Sequence, residues 1–266
     1  MSVAYQCPLC KDPLTLANNS YICQQNHQFD IAKEGYVNLL PVQNKKSKQP
    51  GDNLAMVQAR RAFLTAGHYH FLQQCIADLV ANITPQTVID LGCGEGFYTQ
   101  AIANNTSASV YGVDISKPAV KYAAKRYPHC HFSVASISQA PFADHQADVL
   151  VSVFAPLFAT ELTRLAAKGS TLIVATPGPW HLKQLKQIIY NDVKAHTEVA
   201  PPEGFIKQHT TLLEQQVALT VEDIKHLIMM TPFAWKFRPE HWQQIQQQQG
   251  SQIITLSFYV SQLTKI

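Results

Sequence analysis

The sequence predicts an α/β fold: a parallel sheet flanked by helices, preceded by a small metal-binding module. Three observations predict it. Short apolar strands alternate with helical stretches between residues 87 and 176, the pattern of βαβ units. A glycine-rich turn closes the first of those strands. Three cysteines and a histidine crowd the first 27 residues.

Composition sets the frame. With 266 residues, 46% apolar and 15% charged, the chain suits a globular core and not a disordered one. No stretch approaches the ~20 apolar residues of a spanning helix. The opening MSVAYQCPLC has neither a basic start nor an apolar run, so the reading is a cytoplasmic protein. Charge is uneven: residues 1–61 hold seven Lys/Arg against four Asp/Glu, and the rest holds 14 of each. The net +3 therefore sits in the first quarter, which points to an anionic partner there.

Taken in order, residues 1–40 form the metal module. Cys7, Cys10, Cys23 and His27 give C-x2-C-x12-C-x3-H, two close pairs that can bring four ligands to one tetrahedral Zn²⁺. All four positions are filled, so the ion is structural, and a piece this small draws its folding energy from the metal. Cys75, Cys93 and Cys130 are scattered and read as small packed side chains.

Residues 41–61 read as a basic linker and the start of a helix. Lys45, Lys46 and Lys48, with Arg60 and Arg61 on the helix, form the expected phosphate-facing surface. Asp52 is expected to cap that helix and Gly67 to end it, with a second helix from His68 to about Asn82. Residues 62–266 then form the large domain. Strands are expected at 88–91, 110–114, 131–135, 147–154 and 171–176, and helices at 97–104, 117–126 and 160–168. A long helix at 180–194 and a less regular C-terminal third follow. Ile253–Val260 reads as a late strand, antiparallel at the centre or edge of the sheet, and the Gln run at 243–249 as a solvated helix face or loop.

The turn Asp90-Leu91-Gly92-Cys93-Gly94-Glu95-Gly96 carries the chemistry. Its glycines let a ligand lie against bare backbone. The spacing is G-x-G-x-G, and Asp90 and Glu95 flank the first two glycines, so a pyrophosphate would meet like charge. A cationic ligand is favoured, and S-adenosylmethionine carries an ammonium and a sulfonium. Asp114, ending the second strand, can accept from both ribose hydroxyls. Ser136, after the third strand, is placed to edge an adenine. Together these read as a class I (Rossmann-like) methyltransferase cofactor site.

With those residues in view, the chain resembles the bacterial 23S ribosomal RNA guanine-N1 methyltransferases. The match runs through Cys-Pro-Leu-Cys at 7–10, Tyr-Ile-Cys at 21–23 and His-Gln-Phe-Asp-Ile-Ala-Lys-Glu-Gly-Tyr from 27. It continues through Gln-Ala-Arg-Arg-Ala-Phe-Leu at 58–64, Ala-Gly-His-Tyr at 66–69, the glycine turn, Ala-Thr-Pro-Gly-Pro at 175–179 and Met-Thr-Pro-Phe-Ala-Trp at 230–235. The resemblance implies methyl transfer from S-adenosylmethionine to N1 of a guanine in a hairpin loop of 23S rRNA. It implies zinc ligands at Cys7, Cys10, Cys23 and His27, cofactor contacts at Tyr69, around Gly94-Glu95 and at His181, and a homodimer. After the fourth strand the family's Phe-Ala-Pro is present at 154–156, but Leu157-Phe158 stands in place of more polar residues.

Guanine N1 carries a proton that must leave before it can attack, and it lies on the pairing edge, so the base must be unpaired. His181 is one candidate to take that proton. Phe154, Phe158, Phe233 and Trp235 are candidates to stack on the base. Two other functions fit parts of the sequence: a small-molecule methyltransferase whose zinc module builds a dimer, and a non-catalytic zinc protein that binds RNA.

Overall fold

The computed structural model describes residues 5–44, 50–248 and 250–266, so Lys45, Lys46 and Lys48 lie outside the described residues. The chain opens with a three-stranded antiparallel sheet, β1 (Thr15–Ala17), β2 (Ser20–Ile22) and β3 (Gln28–Asp30). There follow β4 (Val37–Asn38), α1 (Leu54–Thr65), α2 (His70–Ile83), β5 (Thr87–Leu91), α3 (Phe97–Asn105), β6 (Ser109–Asp114) and α4 (Lys117–Arg126). The next elements are β7 (His131–Val134), β8 (Ala147–Val153), α5 (Ala159–Leu165), β9 (Ala166–Pro177) and α6 (Lys183–Ile189). The chain closes with β10 (Phe205–Leu219), α7 (Val221–Met229), α8 (Pro239–Gln247) and β11 (Gln252–Lys265).

Eight strands make one sheet in the order β10-β11-β9-β8-β5-β6-β7-β4. From β9 to β4 every pairing is parallel, while β11 lies antiparallel between β9 and β10. From β5 the chain adds β6 and β7 on one side and β8 and β9 on the other. The crevice at the carboxyl end of β5 is the topological switch point, where open α/β sheets bind ligands. Alternation along the strands sorts the core: Val88, Val110, Val149, Val151 and Ile173 pack on one face, and Ile89, Tyr111, Leu150, Leu172 and Val174 on the other. Helices α2 and α7 cover the first face.

The N-terminal module covers part of the second. Tyr5 stacks on Phe142 at 5.2 Å and meets Tyr111 and Tyr21 edge-on. Gln6 N–H donates to the Pro141 carbonyl at 2.8 Å, and Cys7, Leu14 and Cys23 share a core with Ile89 and Leu91. The stretch at 36–40, read as part of the module, places Val37 and Asn38 in the large sheet beside β7.

Three other expectations are corrected. The cap of α1 is Asn53, whose side chain accepts from Met56 N–H at 3.0 Å, and Asp52 pairs instead with Arg60. Gly67 does sit just past that helix, at φ +92°. The long helix at 180–194 is only α6, because residues 178–182 are held to β11 through Gly178 N–H to Ser257 O and Leu182 N–H to Thr255 O. The C-terminal third contains the 15-residue β10, whose Gln, Thr and Glu side chains blur any apolar alternation. The late strand is antiparallel as expected and takes the internal place, between β9 and β10, though it is longer, running from 252 to 265.

Candidate functional site

The zinc ligands stand on two tight turns. Lys11 N–H returns to Cys7 O at 2.9 Å, and Asn26 N–H to Cys23 O at 3.0 Å, with Lys11 and Asn26 both in the left-handed region. These turns and the β2–β3 connection bring one atom each of Cys7, Cys10, Cys23 and His27 within 4.8 Å of one another. The Cys10–Cys23 sulfurs are 3.6 Å apart, and His27 Nδ1 is 3.5 Å and 3.4 Å from Cys7 and Cys23. Ligands at Zn–S and Zn–N bonding distance around a tetrahedral ion are spaced by roughly 3.6–3.8 Å. The donor set fits Zn²⁺, with no position left for a substrate.

The second centre is a cavity of about 800 Å³ at the carboxyl end of β5. One end is the glycine turn. Gly92 and Cys93 donate to Val113 O, and Gly94 N–H donates to Asp114 Oδ2 at 2.9 Å. Gly92, Gly94 and Gly96 all have positive φ, and a Cβ on Gly92 would lie 2.6 Å from that of Ala155. Asp114 also accepts Ser116 N–H at 2.7 Å on Oδ1. Each oxygen is thus fixed by one amide and keeps a lone pair for a further donor. Burial raises its pKa, and the two amides oppose the shift.

Glu95 is 3% exposed, and both its carboxylate oxygens are buried without a hydrogen-bond partner. The nearest guanidinium, that of Arg126, is 4.0 Å away. Burial lifts the carboxyl to about 7 against the pull of Arg126, Arg61 and Arg60. An orphaned carboxylate on a cavity wall beside the ribose-ready Asp114 suits a ligand that is both a nucleoside and a cation. The residues present fit S-adenosylmethionine.

Of the expected cofactor residues, Tyr69, Gly92, Gly94, Glu95, Asp114, Ser136 and His181 line this cavity. Asp90 and Gly96 do not. Asp90 lies behind the turn, accepts from Thr99 Oγ1 at 2.6 Å, and burial raises it to about 7. Gly96 caps α3 against Phe132, Ala123 and Tyr127. Arg60, expected to face phosphates, turns inward: it pairs with Asp52 at 2.5 Å and donates to Met230 O at 3.2 Å, on the cavity wall. Arg61 packs over the Tyr122 ring at 5.2 Å.

Aromatic residues from distant segments also line the cavity. Phe154, Phe158 and Phe233 line it, whereas Leu157 and Trp235 do not. Phe154 is 44% exposed and sits at φ +56°, a strained conformation for a bulky residue, which tilts its ring alongside His181 at 6.2 Å.

His181 Nδ1 accepts from Ser257 N–H at 3.2 Å, and Nε2 lies 3.5 Å from the Tyr69 hydroxyl. Burial, with Lys186 and His196 nearby, lowers its pKa to about 3. With Nδ1 taken up by Ser257 N–H, the neutral ring carries its proton on Nε2, facing the Tyr69 hydroxyl, and has no free lone pair to act as a base. The reading of His181 as proton acceptor is thereby corrected.

Sequence reasoning missed Lys186 and His196, both on the wall. Lys186 Nζ donates to His196 Nε2 at 2.5 Å and to His181 O at 2.8 Å. Burial lowers the pKa of each. No motif marks them, since the loop after α6 brings them together.

Two family models match the chain. Residues 5–48 match a zinc-ribbon model described as RlmA, N-terminal, and residues 85–255 match one described as a methyltransferase domain. A curated protein of Streptomyces fradiae, named 23S rRNA (guanine(748)-N(1))-methyltransferase, is 30% identical over 95% of this chain and 93% of its own length. A Bacillus subtilis protein, named "Putative 23S rRNA (guanine-N(1)-)-methyltransferase YxjB", is 30% identical over 87% of this chain and 86% of its own. Among the described residues no helix is long and apolar enough to cross a membrane.

Proposed function

The chain belongs to the 23S rRNA (guanine-N1)-methyltransferase family, and from that premise we propose that it methylates N1 of a guanine in a hairpin loop of 23S rRNA. Its methyltransferase domain uses S-adenosylmethionine, and its ribbon holds zinc on Cys7, Cys10, Cys23 and His27. The observation that carries the proposal is that one cavity wall joins the carboxylates of Glu95 and Asp114 to the rings of Phe154, Phe158 and Phe233.

When bound, S-adenosylmethionine supplies a methyl already activated on a sulfonium. The protein's share is alignment and proton removal. Asp114 accepts the ribose hydroxyls, and Glu95 offers the cationic end an anion that no protein donor satisfies. Phe154 and His181, whose ring centroids are 6.2 Å apart with planes at 27°, border the place for the flipped base. The N1 proton passes toward the Lys186–His196 pair on the same wall, where the two nitrogens lie 2.5 Å apart and burial lowers the pKa of both. This reading places the enzyme in the cytoplasm with its ribosomal substrate and includes the homodimer that the resemblance implies, which light scattering tests.

The direct test is incubation with labelled S-adenosylmethionine and an unmodified 23S rRNA hairpin transcript, followed by reverse transcription. A methyl on N1 blocks pairing, so a stop one nucleotide before a single loop guanine is expected. Label that enters small metabolites and no RNA would favour a small-molecule methyltransferase.

A further inference from the structure

Of the basic residues read as the RNA surface, Arg60 faces the cavity and Arg61 is exposed beside the Tyr122 ring, while the three lysines lie outside the described residues. A different cluster borders the aromatic wall. On α6, Lys183 and Lys186 fall at i and i+3, one helical face, Lys186 is on the cavity wall, and Tyr190 follows the helix in extended backbone. Lys183 Nζ lies 4.6 Å above the Trp180 ring, just before His181. Lys236 Nζ lies 4.4 Å above Tyr190 and 5.3 Å from Trp235, just after the wall residue Phe233.

Trp180 is 40% exposed and Trp235 79%, so neither indole is spent on the core. Among the described residues Lys183, Lys186 and Lys236 have no carboxylate partner, whereas Lys121, Lys207 and Lys225 do. Exposed indoles interleaved with lysines that have no carboxylate partner, next in sequence to the cavity-wall residues His181 and Phe233, match single-stranded nucleic acid, whose bases stack while its phosphates pair.

We propose that Trp180, Lys183, Tyr190, Trp235 and Lys236 form the rim that grips the loop nucleotides flanking the target guanine. Bases stack on the two tryptophans, and phosphates meet the two lysines. This inference rests on the RNA-methylating reading, and the test separates the two.

Wild type, Trp235→Ala and the double variant Lys183→Ala/Lys236→Ala are titrated with a fluorescent 23S rRNA hairpin across a salt series, alongside S-adenosylmethionine titrations. Removing the exposed indole is expected to weaken RNA binding about tenfold and raise KM for RNA, with kcat held within about twofold. The lysine double variant should lower the slope of log affinity against log salt by about 1.4. S-adenosylmethionine affinity should not move in either, which confirms folding. Tryptophan quenching by RNA should diminish in Trp235→Ala. If both variants bind RNA as wild type does, with an unchanged salt slope, the rim is overturned while wild-type methylation keeps the broader reading alive. If wild type modifies no RNA but still binds it through the rim, the broader reading falls and the rim stands.

Discussion

The two ends of the cavity are built in different ways. At the donor end the chemistry comes from consecutive residues, Gly92 to Glu95, with Asp114 and Ser136 each at the end of a strand. The part of the wall proposed to take the base comes from the loop after β8, from residues 177–186, from His196 and from 230–233. A turn that must cradle a nucleoside writes its geometry into adjacent residues, because local φ values and amide directions decide it. A pocket for a flipped base needs only rings and donors converging from anywhere, so its sequence leaves no motif.

That contrast can be broken at either end, and the largest effect is expected at Asp114. Asp114→Ala removes the acceptors for two ribose hydroxyls and should weaken S-adenosylmethionine about 100-fold by calorimetry, with hairpin RNA binding intact. A loss of RNA affinity alongside it would show that the ends are not separate.

Lys186→Met addresses the other end. It should lower kcat by about 10- to 100-fold near pH 7, with S-adenosylmethionine affinity unchanged, and high pH should restore part of the rate as N1 ionises unaided. A variant with a normal kcat would give the proton to water.

Glu95 sharpens the electrostatic side. Folded and empty, its carboxyl titrates near 7, against 4.5 as an ordinary glutamate. Its raised pKa means that empty-protein stability is greatest below about 4.5 and declines as pH rises through about 7. Asp90, also held near 7 by burial, acts in the same direction. The cationic donor prefers the anion, so its affinity should climb across that window, by at most about tenfold per pH unit, and level off above 7. Glu95→Gln should flatten the profile; an unchanged slope would assign it to another group.

The smallest effect on the cavity is expected from the ribbon. Cys10→Ser should release the zinc, seen by elemental analysis, and lower the thermal midpoint by roughly 10 °C, because Tyr5 and Cys7 share a core with the sheet. S-adenosylmethionine affinity should stay within about threefold, since no ligand of the ion lines the cavity.

The same division explains what the sequence disclosed. Cys7, Cys10, Cys23 and His27 were legible because a tetrahedral ion demands fixed spacings on short turns. The strands from β5 to β9 were legible because burial on both faces makes them continuous apolar runs. The edge strand β10 was not, because Gln, Thr and Glu populate both of its sides and its order comes from β11. Arg60 was misassigned because an Arg-Arg pair on a helix looks alike whether it faces phosphate or a buried wall. Lys186 and His196 have no shared motif, and only the fold sets them 2.5 Å apart.

A crystal structure of the protein with S-adenosylhomocysteine and a 23S rRNA hairpin measures the central claim directly. The account predicts ribose hydroxyls on Asp114 and an extruded guanine beside Phe154 and His181, with N1 turned toward the sulfur. A nucleoside seated away from Asp114, or a guanine still stacked in its loop outside the cavity, would contradict it.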